Sequence, residues 1–177
     1  MTICSAMMQA VVHLPKPVVA CVQGIATAAG CQLVATCDLA VASEKASFAT
    51  PGVDIGLFCS TPMVALTRNI ARKQAMEMLL TGEPVSATSA RQLGLINRVV
   101  AAGTEFEAAL NLAQKVALKS AHTVKLGKTA FYRQAEMGLA DAYRYASEVM
   151  TENMMARDAE EGIGAFIEKR DPTWEDR

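Results

Sequence analysis

Apolar positions recur at helical spacing over residues 2–13, with Ile3, Met7 and Val11 on one face and Met8 and Val12 beside them; this predicts an opening helix. Pro15 and Pro17 end it, because proline supplies no N–H and restricts the residue before it. The pattern then changes. VVACVQG (18–24) is a short β-branched run closed by Gly24 and reads as a buried strand. IATAAG (25–30) reads as a small-residue turn, CQLVATCD (31–38) has helix-compatible spacing, and LAVAS (39–43) reads as a second strand. Strand, turn, helix and strand in that order make a βαβ-like unit and favour a mostly parallel sheet.

Beyond it, FATPGVDIGLFCSTP (48–62) carries Pro51, Gly52, Gly56 and Pro62 and is expected to be a loop that shapes a cleft. A helical pattern runs from Met63 to about Leu80. Ser86 is placed to cap a helix over Ala87–Leu93, with Gly94 as its C-terminal stop, and LINRVV (95–100) reads as a strand. Residues 105–119 form an amphipathic helix. Residues 121–157 form a long helical region interrupted near Gly138, and a last helix is expected to run to Pro172. The fold class is α/β, with an α/β core over residues 1–100 and a helical region over 101–177.

Composition narrows the function classes. The net charge is −1 with scattered basic residues, so no footprint for nucleic acid or an anionic membrane surface is present. No apolar run is long enough to span a bilayer without interruption: Gly, Gln and Asp break the richest one, residues 18–42. Five cysteines form no CxxC pair and read as reduced, buried thiols. His13 and His122 stand far apart and outside any ligand pattern, so no metal site is expected. The first residues lack the features of a signal peptide, which gives a cytoplasmic expectation, with the mitochondrial matrix as the alternative if a transit segment has been removed.

Three ordered motifs then become recognisable. KPVVACVQGIATAAGCQLVATCDLAVASEKASFATPGVDIGL, EMLLTGEPVSATSARQLGLINRVV (77–100) and EEGIGAFIEKRDPTW resemble, in that order, the signature segments of the crotonase superfamily, the enoyl-CoA hydratase/isomerase family. The resemblance implies a crotonase-like core of ββα type, of the ClpP/crotonase kind, with a C-terminal helical trimerisation region. The family's opening strands, with an Ala-Gly-x-Asp loop that supplies one oxyanion-hole amide, have no counterpart in this sequence.

By residue matching, the resemblance implies an acyl-CoA thioester as ligand, no cofactor, and a homotrimer or hexamer. The N–H of Ala29, flanked by Ala28 and Gly30, matches the second oxyanion-hole donor; the same turn also fits a purely structural role in helix–strand packing. The two glutamates of the hydratases fall on Gln32 and Gly52. Glutamine can position water but does not titrate, and glycine supplies no group at all. Asp54, two residues past Gly52, is the one nearby carboxylate able to compensate, although aspartate in such a loop more often bonds local backbone. Cys59 and Ser60 have no histidine motif to activate them as nucleophiles. Lys169 matches a lysine that reaches the CoA phosphate of a neighbouring subunit, and Phe166 matches the aromatic beside it; a salt-bridging tail lysine fits as well. Two functions are therefore expected: an acyl-CoA-processing enzyme with a non-standard acid or base, or a catalytically impaired acyl-CoA-binding protein or structural subunit.

Overall fold

A computed structural model describes residues 2–177. The chain forms two compact units, one made of residues up to Val12 and Val18–Ala113, the other of His13–Pro17 and Gln114–Arg177.

The first unit carries two three-stranded sheets. After α1 (Thr2–His13) come β1 (Val19–Val22), β2 (Ile25–Thr27), α2 (Ala29–Thr36), β3 (Leu39–Ser43) and β4 (Ser47–Ala49). A 3-10 turn (Pro51–Ile55) leads to α3 (Ser60–Leu66), α4 (Arg72–Thr81), β5 (Val85–Ser86), α5 (Ala87–Leu93), β6 (Arg98–Val100) and α6 (Glu105–Ala117). Strands β1, β3 and β6 pair in parallel, with Val22 opposite Ala42 and Val41 opposite Arg98. β2 pairs in parallel with β4, and β4 pairs antiparallel with β5. The central strand β3 is buried continuously from Ala40 to Ser43, as expected for a parallel strand covered on both faces. Phe48, Leu66, Leu79 and Cys31 sit in the same core.

The sequence reading needs several corrections here. Residues 25–27 are a strand rather than part of a turn: Gln23 and Gly24 break the run, and the chain crosses to the second sheet. The loop 48–62 contains the end of β4, a 3-10 turn and the start of α3. The helix drawn over 63–80 is two helices. Between them the Asn69 amide donates to the carbonyls of Ala35 (2.7 Å) and Ala65 (2.8 Å), tying the break to α2 and α3. The strand drawn over 95–100 begins at Arg98, because Leu95 and Ile96 are core residues and Asn97 bonds Ala40 through both its N–H and its Oδ1. The local cap signals are present as read: Ser86 Oγ accepts from Ser89 N at 3.2 Å, and Gly94 closes α5 at φ 88°. Of the cysteines, Cys31 and Cys59 are buried, whereas Cys21 is exposed.

The second unit contains the end of α6, then α7 (Ala121–Gln134), α8 (Leu139–Met154) and α9 (Arg157–Glu168). Gly138 is the N-cap of α8, at the interruption read from the sequence. α9 ends at Glu168 rather than at Pro172. Its tail is clasped to Asp158, whose Oδ1 and Oδ2 accept from the N–H groups of Glu175 (2.7 Å) and Asp176 (3.1 Å). Trp174 packs on Gly162 and donates its indole N–H to the Leu118 carbonyl at 2.9 Å. The buried Lys128 donates to the Lys16 carbonyl at 3.1 Å. Among the described residues, no helix is long and apolar enough to cross a membrane.

Candidate functional site

The turn between β2 and α2 is where the small residues of IATAAG act. Ala28 lies at φ 47°, ψ −112°, a backbone region that side chains avoid and glycine tolerates. It is held there from both sides: Ala28 N donates to Ala49 O at 2.9 Å, and Ala28 O accepts from Gln32 N at 3.0 Å. The first N–H groups of a helix have no intrahelical acceptor, so those of Ala29 and Gly30 are left for other partners. Both residues are exposed, and a Cβ on Gly30 would meet nothing within 4 Å. No side chain caps this helix end. Open amides at the positive end of a helix dipole suit a developing negative charge on an oxygen.

Gln32 follows in the first turn of α2. It is 5% exposed, and its Oε1 is buried without a hydrogen-bond partner. An unpaired buried amide oxygen costs about 1–3 kcal/mol. Cys31, beside it, is pushed up to about 12 by burial and then by the neighbouring Cys59 thiol. It stays a thiol at physiological pH, and the nucleophile is the thiolate.

Gly52 opens onto no free space. A Cβ there would stand 2.9 Å from Cys59 Sγ, 2.9 Å from the Leu57 carbonyl oxygen and 3.3 Å from Cys59 N. The 52–59 loop is folded tightly over this spot, with Leu57 N donating to Gly52 O at 2.9 Å and Gly56 at φ 75°. The loop is anchored below by the buried Thr50, whose hydroxyl donates to the Met78 carbonyl at 2.9 Å. Asp54 is exposed and lies against the end of α4: its Oδ2 and Oδ1 are 3.1 and 3.2 Å from the place a Cβ on Gly82 would take.

Phe166 and Lys169 belong to the second unit and form a group of their own near the end of α9. Phe166 is 84% exposed, and Lys169 is exposed with a left-handed backbone, φ 56° and ψ 41°. The structure thus places Ala28, Ala29, Gly30 and Gln32 on one turn, and brings Gly52 against Cys59. Sequence reasoning gave Cys59 no part in the site beyond an unsupported nucleophile. No local signal marks its contact with Gly52, because the loop between them makes it.

The family model for enoyl-CoA hydratase/isomerase matches residues 3–177. The rat protein named enoyl-CoA hydratase domain-containing protein 3, mitochondrial, is 54% identical over 171 residues, covering 97% of this chain and 57% of the relative. A solved structure of an enoyl-CoA hydratase from Mycobacterium smegmatis superposes with a TM-score of 0.94 at 53% identity, covering 97% of this chain and 66% of that one. The human enoyl-CoA hydratase domain-containing protein 3 superposes with a TM-score of 0.94 at 52% identity, covering 98% and 68%. The chain therefore spans a little over half the length of that rat relative. The motifs, the fold and the matched length agree: this chain belongs to the enoyl-CoA hydratase/isomerase family and has a crotonase fold.

Proposed function

We propose that the chain binds acyl-CoA thioesters, with the Ala29 N–H as a donor to the thioester carbonyl, and that it is impaired in the acid–base step of hydration. The observation that carries this reading is the pairing of an open, glycine-like turn at Ala28–Gly30 with a closed position 52. Charge stabilisation and acid–base catalysis are separable contributions. One oxyanion donor is worth roughly 10²–10³ in rate, and each positioned acid or base roughly 10²–10⁴. The first is present at the start of α2. For the second, Gln32 holds no titrating proton, and no side chain can enter at residue 52 without displacing Cys59 and the Leu57 carbonyl. Asp54, directed at Gly82, lacks the placement to compensate.

Assembly into trimers or hexamers is part of the same proposal. In the second unit, Leu139, Tyr143, Met150 and Met154 on α8 and Ile163 and Ile167 on α9 are large, apolar and exposed. Apolar surface of that extent is unusual on a protein that remains monomeric. The rat relative's name includes "mitochondrial", which supports the matrix and gives the cytoplasmic expectation no support.

The test is calorimetric titration of the chain with CoA, acetyl-CoA and crotonyl-CoA. Both thioesters are expected to bind more tightly than CoA, since they alone bring the carbonyl that Ala29 receives. Binding that is absent, or equal for CoA and its thioesters, contradicts the oxyanion role.

A further inference from the structure

Gln32 is bonded along its backbone in both directions. Its N–H donates to Ala28 O at 3.0 Å, and its carbonyl accepts from the Thr36 hydroxyl at 2.7 Å. The side-chain oxygen is the exception: the residue is 5% exposed, yet Oε1 has no hydrogen-bond partner. Among the described residues, His122 Nε2 is the other buried side-chain atom in that condition, and it lies in the second unit. Native interiors satisfy such groups almost without exception. Packing alone does not call for the amide, because an apolar side chain of the same length fills the space without an unpaired oxygen.

The position of Gln32 on α2 says what its partner is. Gln32 follows Ala29 by three residues, so the two share a helix face, with Cβ atoms about 5–6 Å apart. Helical side chains lean toward the N-terminus, which turns Gln32 back toward the open amides of Ala29 and Gly30. One short span thus carries a donor at one end and an acceptor at the other. An enoyl or saturated acyl chain has no polar hydrogen and leaves Oε1 unpaired. A hydroxyl two or three bonds beyond the thioester carbonyl carbon supplies one, and a neutral amide oxygen accepts it without burying a charge.

We infer that Gln32 is a specificity-determining residue that selects acyl thioesters with a hydroxyl on the second or third carbon over saturated and enoyl ones. This rests on the acyl-CoA reading above and names the acyl group that the site takes. Oε1 is enclosed by its surroundings, so the contact requires a change of rotamer toward the turn. The space beside Gly30, where an added Cβ would meet nothing within 4 Å, is open to receive it.

The experiment measures dissociation constants on the full chain for butyryl-CoA, crotonyl-CoA, 2-hydroxybutyryl-CoA and 3-hydroxybutyryl-CoA. In the wild type, one of the hydroxylated thioesters is expected to bind roughly tenfold more tightly than butyryl-CoA, the scale of one buried hydrogen bond made good. In Gln32→Met, which keeps the length and loses the acceptor, that ratio should fall to about one; Gln32→Leu serves the same purpose should the methionine variant fail to fold. Gln32→Glu, which keeps an acceptor oxygen, should retain the preference. A merely structural Gln32 would shift the affinity for all four thioesters alike. That result, a preference that survives loss of the acceptor, or equal wild-type affinities (as when water already satisfies Oε1) overturns the inference and leaves the acyl-CoA reading intact. If none of the four binds, the acyl-CoA reading fails first and the role of Gln32 fails with it.

Discussion

The sulfur of Cys59 stands 2.9 Å from where a Cβ on Gly52 would lie, so the two residues share one space and only one of them can fill it. The Leu57 carbonyl bounds the same space at 2.9 Å. A glycine there is a packing requirement of this loop as well as the loss of a carboxylate.

Substitution at residue 52 should therefore fail on stability before it is tested on catalysis. Gly52→Ala is expected to destabilise by about 1–3 kcal/mol, the usual penalty for overpacking, and Gly52→Glu by at least as much. Combining Gly52→Ala with Cys59→Gly removes the sulfur clash but not the carbonyl contact, so recovery should be partial. Urea denaturation of the four proteins measures this; a fully stable Gly52→Ala would show that the loop yields freely.

Ala28→Gly should raise stability. The backbone at φ 47°, ψ −112° is sparsely populated and costs alanine about 1–3 kcal/mol, while the extra freedom glycine brings to the unfolded chain costs about 0.5–1 kcal/mol. Strain wins, so a net gain of up to about 2 kcal/mol is expected, visible as a higher thermal midpoint. Ala28→Val should lower the midpoint, because a β-branched side chain is least tolerated at positive φ.

The tail clasp sets a pH dependence. Burial alone pushes the Asp158 carboxyl up, but hydrogen bonds from Ser120 and from the N–H groups of Glu175 and Asp176, together with His122, outweigh it and hold the group below the usual aspartate range. A carboxyl lowered on folding stabilises fully above its unfolded value, near 3.8, and that stability is lost as pH falls through the lower folded value. Asp158→Asn should thus be less stable than wild type at pH 7. The gap should narrow in acid, below about pH 4, the ordinary aspartate value. Denaturation at both pH values checks the sign; a gap that widens in acid contradicts it.

Alkylation separates the thiols. Cys21 is exposed, whereas Cys31 is wholly buried and pushed up to about 12. Iodoacetamide on the native chain at pH 8 should mark Cys21 and leave Cys31 unmodified until denaturant is added, as mass spectrometry of the peptides would show. Early labelling of Cys31 would mean that the α2 turn opens readily.

Local chemistry was legible from the sequence. Ser86 and Gly94 bound α5 because caps and left-handed stops depend on one or two residues, and Gly138 marks the α7–α8 break for the same reason. The three-residue strands β2 and β4 were not legible, since neither is long enough to show a period. The break between α3 and α4 depends on Asn69 reaching Ala35, 34 residues away. The candidate site divides in the same way. Ala28, Ala29, Gly30 and Gln32 fall on one turn because they are contiguous, while the closure of Gly52 by Cys59 depends on how a loop folds back. The end of α9 was placed four residues late, because lysine carries no signal for the left-handed cap it forms.

The central claim is that this chain receives a thioester it hydrates poorly or not at all, and the most direct measurement is crotonyl-CoA hydration on a sample whose binding has first been established by calorimetry. The assay is run on the wild type beside a variant with Gln32→Glu, Gly52→Glu and Cys59→Gly. The account predicts binding by the wild type with no hydration above background, and any measurable rate in the variant alone, where the carboxylates are restored in a loop relieved of the Cys59 sulfur though not of the Leu57 carbonyl. A wild type that itself hydrates crotonyl-CoA well above background would contradict it.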